Sequence, residues 1–244
     1  MLLFYVRHGD PIYAPDSLTP LGHRQAEAVA RRLSTFGVDE IYASTSTRAI
    51  QTATPTAEMC KLPITQLDFA NESHAWREFT VKDKDGWEHL QWVCFCPWAK
   101  ELMLSDECLS LGSLWYTHPA FAQSRIEEGT KRVDREADAF LESLGYRHDR
   151  MTRSYLPVAP TEKRIAFFAH QGFGMAFLSS VLDLPYPYFA THFDMQHTGV
   201  TVIEWNNAHL TPSGRIVPRV LQLSSDAHLW RDGLPTFYQN RIRF

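Results

Sequence analysis

Two apolar runs in this sequence end on an imidazole. Leu2-Leu-Phe-Tyr-Val6 is followed by Arg7-His8-Gly9-Asp10, and Arg164-Ile-Ala-Phe-Phe-Ala169 by His170, with Gly172 and Gly174 just beyond. A third run, Asp39-Glu-Ile-Tyr-Ala43, leads into Ser44-Thr-Ser-Thr-Arg48. Such runs, cut off by charge and glycine, read as strands buried on both faces of a parallel sheet. In open α/β sheets, sites gather outside the carboxyl ends of the strands. Two guanidinium groups and two imidazoles at three such ends suit a phosphoryl group, which needs positive charge around its equatorial oxygens and a nucleophile in line. Taken alone, Arg7-His8-Gly9 equally suits the start of a surface loop. Taken alone, Arg48 also suits an exposed arginine paired with a nearby carboxylate.

The motifs R-H-G at Arg7 to Gly9, S-T-R-A-I-Q-T-A at Ser46 to Ala53, and A-H-Q-G at Ala169 to Gly172 occur in that order. As an ordered set they resemble the histidine phosphatase superfamily, in its phosphoglycerate-mutase-like branch, and the likeness spans most of the chain. The resemblance implies a phosphatase that hydrolyses phosphomonoesters through a phosphohistidine on His8. Arg7, Arg48 and His170 would then surround the phosphate, with donors added near Gln171. Arginine suits that place because its planar fork gives bidentate contacts and keeps its charge. In related sequences a glutamate follows the T-A motif just past an edge strand. Glu72 fits that position as general acid, and Glu78 is its competitor. The catalytic set expected is therefore His8, Glu72 and His170, with no metal and no cofactor. Two alternatives stand beside it: a phosphoglycerate-mutase-type phosphotransferase, and a non-catalytic phosphate-binding module of the same fold. The proline-rich loop 10–20 and the divergent residues 80–116 depart from the mutase pattern.

Composition limits the partners. The chain has 244 residues and a formal net charge of −4, so nothing draws it as a whole to nucleic acid or an anionic membrane. A small phosphomonoester is the expected partner, and a homodimer is left open. The five apolar residues before Arg7 are too few for a secretion signal or a membrane span. A cytoplasmic protein with reduced cysteines is expected, since Cys94-Phe-Cys96 is too closely spaced for a usual zinc pair.

The elements that position the motifs follow from periodicity. Thr19-Pro20 caps a helix whose apolar face is Ala26, Val29, Leu33 and Phe36 and whose stop is Gly37. A second helix starts near Ser46, puts Arg48 in its first turn and meets Pro55. Leu62 to Leu67 reads as an edge strand, and 118–146 mostly as one helix. Residues 11–20 and 147–163 read as loops. Gly199 to Trp205 and Ile216 to Leu223 read as neighbouring strands. The expected fold is a three-layer α/β sandwich, a mostly parallel central sheet with helices on both faces. It forms a single domain over 1–244 with a cap or insertion at about 73–116. Five of the seven tryptophans fall between Trp76 and Trp115, which suggests that this insertion has its own apolar cluster.

Overall fold

A computed structural model describes residues 1–82 and 89–236. Trp87 lies outside them. The chain divides into two compact units. The first holds Met1–Asn71, Pro160–Gln171 and the chain from Met195 onward; the second holds Glu72–Ala159 and Gly172–Asp194. The stretch expected as an insertion falls within the second unit.

In chain order the first unit begins with β1 (Leu2–Arg7), β2 (Pro11–Tyr13), β3 (Asp16–Leu18), α1 (Pro20–Phe36), β4 (Glu40–Ser44), α2 (Thr47–Cys60) and β5 (Ile64–Leu67). The second unit continues with α3 (Glu72–Glu78), β6 (Thr80–Lys82), β7 (Leu90–Trp92), α4 (Pro97–Met103), α5 (Asp106–Leu109), α6 (Ile126–Ser143), β8 (Tyr146–Asp149) and β9 (Ser154–Pro157). The chain returns to the first unit for β10 (Arg164–Ala169). Helices α7 (Gln171–Val181) and α8 (Tyr186–His192) follow, and then β11 (Val200–Glu204), β12 (Arg219–Ser225) and α9 (Ala227–Arg231).

The first unit is built on a six-stranded sheet of order β12-β11-β1-β10-β4-β5. Strands β1, β10, β4 and β5 are parallel, while β11 runs antiparallel to β1 and β12 to β11. Phe4, Val6, Ile41, Ala43, Ala166 and Phe168 pack with Val29 and Leu33 of α1 and Ala53 and Ala57 of α2. On the opposite face Leu3, Tyr5, Ile165 and Phe167 are just as buried, which is why these strands read as unbroken apolar runs. Helix α1 is capped as its sequence predicts: Thr19 Oγ1 accepts from the Gly22 amide, and Gly37 stops the helix at a φ of 76°. Pro55 does not end α2, which runs on to Cys60.

Three expectations about local structure are corrected. Residues 11–18 are a two-stranded hairpin rather than a loop, with Ala14–Pro15 at its turn. A two-stranded ribbon needs few amide donors, so it tolerates the prolines that exclude a central strand. Helix α6 begins at Ile126, not near His118. Pro119 holds His118 in an extended conformation, and 3₁₀ turns take up Gly112–Thr117 and Pro119–Phe121. Within 147–163, β8 and β9 pair around a turn in which Asp149 accepts from the Met151 amide.

In the second unit the tryptophans join other rings. Trp115 stacks on Tyr186 at 5.1 Å, and Tyr186 on Phe79 at 5.4 Å. Trp76 meets Trp92 edge-on at 5.1 Å.

Two glycines bring α1 against the end of β1. A Cβ on Gly22 would stand 2.2 Å from the Asp10 carbonyl oxygen, and one on Gly9 would stand 2.6 Å from that of Gly22. Alanine is the better helix former, yet Gly22→Ala is expected to lower stability by about 1–3 kcal/mol through overpacking, read as a lower urea midpoint. A neutral or stabilising result would mean that this contact is loose.

Candidate active site

The register of β1 and β10 sets the site. Arg7 lies opposite Ala169, so His8 and His170 leave the sheet side by side. The His8 amide donates to the Ala169 carbonyl at 2.9 Å, and the two rings lie 5.2 Å apart, both buried. Strand β4, next to β10, delivers Ser44 and Ser46. Both hydroxyls lie 2.8 Å from His170 Nε2. The other ring nitrogen of His170, Nδ1, is buried and has no hydrogen-bond partner among the described residues. Tyr5 Oη donates to the His170 carbonyl at 2.6 Å and fixes the backbone there.

The tautomer of His8 follows from one contact. Its Nδ1 lies 2.7 Å from the Gly9 carbonyl oxygen. A carbonyl only accepts, so in the neutral ring Nδ1 carries the proton and Nε2 keeps its lone pair. The Gly9 amide donates to Thr52 Oγ1 at 3.0 Å, and that hydroxyl donates to the Arg48 carbonyl at 2.7 Å. Gln51 Oε1 accepts from the Leu18 amide at 2.8 Å. The S-T-R-A-I-Q-T-A motif thus contributes Ser46 to one imidazole, Thr52 to the peptide beside the other, and Gln51 to the hairpin.

The arginines are held from different sides. Arg7 donates through Nη1 to the Met195 carbonyl and has Nη2 2.9 Å from His197 Nε2. Arg48 is buried in the first turn of α2, and its Nη1 donates to Asp16 Oδ1 at 2.6 Å. Asp16 Oδ2 also accepts from the Thr47 amide. The carboxylate pairing open to Arg48 from sequence is therefore present, but inside the site. The Tyr13 ring lies over the Arg48 guanidinium at 5.4 Å and is itself 70% exposed, at the outer rim.

Burial is the main reason that the imidazoles are uncharged. It pushes His8 well below the ordinary histidine value, and His170, Arg7 and Arg48 push it further the same way. His170 is lowered well below that value by burial, then by Arg48 and Arg7. The fixed positive charge of the pocket thus comes from the guanidinium groups.

Sequence reasoning passed over His197. Its ring lies 5.7 Å from that of His8, and its Nδ1 faces Asp10 Oδ1 at 3.5 Å. No sequence signal marks it, because its place is set by strand direction. Strand β11 runs antiparallel to β1, so residues just before Val200 must lie beside the end of β1. Thr198 confirms the placement, its amide donating to the Arg7 carbonyl at 3.0 Å.

The remaining candidates are placed as follows. Gln171 opens α7 directly after His170. Glu72 opens α3 in the second unit, and its two oxygens accept from the Gly172 and Phe173 amides at 2.8 Å each. Glu78 is fully buried in the same unit, held by the Arg132 fork at 2.7 to 3.0 Å. Among the described residues, no group of three or more His, Cys, Asp or Glu is disposed to hold a metal ion.

The family model of the histidine phosphatase superfamily (branch 1) matches residues 3–91. No curated protein matches the sequence. Among solved structures, mycobacterial hydrolase 1 is 19% identical, with 92% of this chain and 98% of that one covered and a TM-score of 0.57. Mycobacterial glucosyl-3-phosphoglycerate phosphatase is 17% identical over 92% of this chain and 98% of its own, with a TM-score of 0.58. Phosphoserine phosphatase from Entamoeba histolytica, solved with 3-phosphoglyceric acid, is 17% identical over 93% of this chain and 98% of its own, with a TM-score of 0.56. At these identities the likeness concerns the fold, a mixed and mostly parallel central sheet with helices. The likeness to the histidine phosphatase superfamily thus lies in residues 3–91, and the likeness to the solved phosphatases lies in the fold.

Proposed function

We propose that the chain hydrolyses small-molecule phosphomonoesters through a phosphohistidine on His8. The observation that carries this reading is the His8 ring, neutral, with its proton on Nδ1 and its Nε2 lone pair left over, in a pocket where Arg7 and Arg48 act on it electrostatically. In the first step Nε2 attacks phosphorus and the ester P–O bond breaks. The bond's electrons go to the leaving oxygen, which takes a proton from Glu72. In the second step Glu72, now a carboxylate, takes a proton from water as the water oxygen attacks phosphorus. The P–N bond breaks, its electrons return to His8, and inorganic phosphate leaves. Arg7 and Arg48 supply charge to the equatorial oxygens, and His170 supplies an N–H donor. Glu72 takes its role from its place in the sequence. Phosphatases among the structural neighbours support the reaction class, one of them solved with inorganic phosphate.

His8→Ala is expected to abolish both turnover and an acid-labile phosphoenzyme formed from a labelled aryl phosphate. His170→Ala should slow labelling without removing it, because it takes away a donor rather than the attacking atom. Equal labelling of His8→Ala and the parent would defeat the proposal.

A second test concerns the acid. Glu72→Gln should slow hydrolysis of alkyl phosphates by about 10²–10⁴-fold and that of p-nitrophenyl phosphate far less, because nitrophenolate leaves without a proton. This holds where phosphoenzyme formation limits the rate, which burst amplitude shows. If Glu78→Gln gave the leaving-group dependence instead, the acid would be Glu78.

The third test is the pH profile. His8 acts in its neutral form, and its lowered pKa keeps that form populated as pH falls through the ordinary histidine range. The reactive form is lost only as pH falls through the lowered value. Since kcat/KM reports the free enzyme, it should show no acid limb near 6.5 once the second ionisation of the substrate, near ~6, is corrected for. A limb that persisted there would show a charged His8 in the resting site.

A further inference from the structure

We infer that His197 is a positioning residue that accepts a hydrogen bond from Arg7 and so aims its guanidinium at the phosphoryl group. The inference rests on the phosphomonoester reading and adds to it a residue that none of the motifs contains.

The donor in this contact is unambiguous. Arg7 Nη2 can only donate, so His197 Nε2, 2.9 Å away, must present a lone pair. In a neutral ring that puts the proton on Nδ1, the nitrogen that faces Asp10 Oδ1 at 3.5 Å. Asp10 is itself fixed: Thr19 Oγ1 donates to its Oδ2 at 2.7 Å, and its amide donates to Gln25 Oε1 at 2.8 Å. The chain Asp10, His197, Arg7 therefore runs from the capped start of α1 to the first guanidinium of the site. A protonated His197 would set an N–H against the N–H of Arg7. The surroundings prevent this, because burial and then Arg7 lower the ring to about 3.

The backbone gives the same picture. Met195 O accepts from Arg7 Nη1, so one short segment holds both arms of the guanidinium. Thr198, at a φ of 55°, donates its amide to the Arg7 carbonyl and ties that segment to the strand end. The His228 ring nitrogen 3.0 Å from Thr198 Oγ1 braces the turn from behind. An arginine whose two arms are both spoken for gives up little freedom when an anion arrives.

Three variants test this against the parent: His197→Ala, His197→Gln and His197→Met. Inorganic phosphate is the probe, titrated by calorimetry. Urea midpoints, kcat and KM for an aryl phosphate are measured on the same samples. His197→Ala should weaken phosphate binding by about tenfold, the usual scale for a hydrogen bond to a charged group, and should raise KM more than it lowers kcat. His197→Gln puts a carbonyl acceptor at similar reach and should recover most of the loss. His197→Met fills the space without an acceptor and should behave like Ala; it replaces Ala if that variant does not fold. Unchanged phosphate binding in Ala or Met would overturn the inference. So would a Gln variant as weak as Ala, which would mean that the ring matters as filler. A parent protein that neither binds phosphate nor releases it from esters would bring down the phosphatase reading, and this inference with it.

Discussion

A single hydrogen bond, from His8 Nδ1 to the carbonyl of its neighbour Gly9, decides which nitrogen of the central imidazole is free to act. The Gly9 peptide is therefore the structural pivot of the pocket. Its amide is tied to Thr52, and its α-carbon lies against Gly22 too closely for any side chain. Thr52 in turn reports on Arg48 through the carbonyl one helical turn earlier. A shift of the first helix, of the second helix or of the strand end would be felt at the same ring nitrogen. For the nucleophile proposed at His8, a rigid mount of this kind would hold the ring in line without the cost of ordering it at each turnover.

The electrostatics of the pocket divide the labour between two kinds of cation. Guanidinium groups stay charged under burial, while imidazoles do not. His8, His170 and His197 are all lowered, and for each burial is the largest cause. Neutral rings can act as nucleophile, donor or acceptor, depending on which nitrogen holds the proton. Two permanent charges remain, and in the proposed reaction they would attract the phosphoryl group. Had the rings been charged as well, mutual repulsion would have added to the cost of burial, and His8 would have had no lone pair to offer.

The sheet and the converging motifs were legible because a buried parallel strand writes itself as a continuous apolar run that ends where the site begins. Leu2–Arg7 and Arg164–Ala169 both do so. Elements with weak periodicity were not legible. The hairpin at residues 11–18 has only three residues a side and hides behind its prolines, and the 146–157 hairpin depends on a turn made by Asp149. Helix α6 looked longer because Pro119 suits the first turn of a helix, and a 3₁₀ turn at Pro119–Phe121 takes that place instead. His197 escaped for a different reason: its place depends on β11 running antiparallel to β1, and strand direction leaves no mark on side-chain periodicity.

Asp16 has a consequence of its own. One arm of Arg48 already holds a carboxylate that belongs to the protein, and the same carboxylate is anchored on the Thr47 amide. An incoming anion gains at that arm only the difference between itself and this resident ligand. A weakly held monoanion such as chloride gains almost nothing, while a phosphoryl dianion offers more charge and more acceptor oxygens than the aspartate. If Arg48 binds the phosphoryl group as proposed, the hairpin sets a threshold there, because an anion must outbid Asp16 for an arm that is already paired.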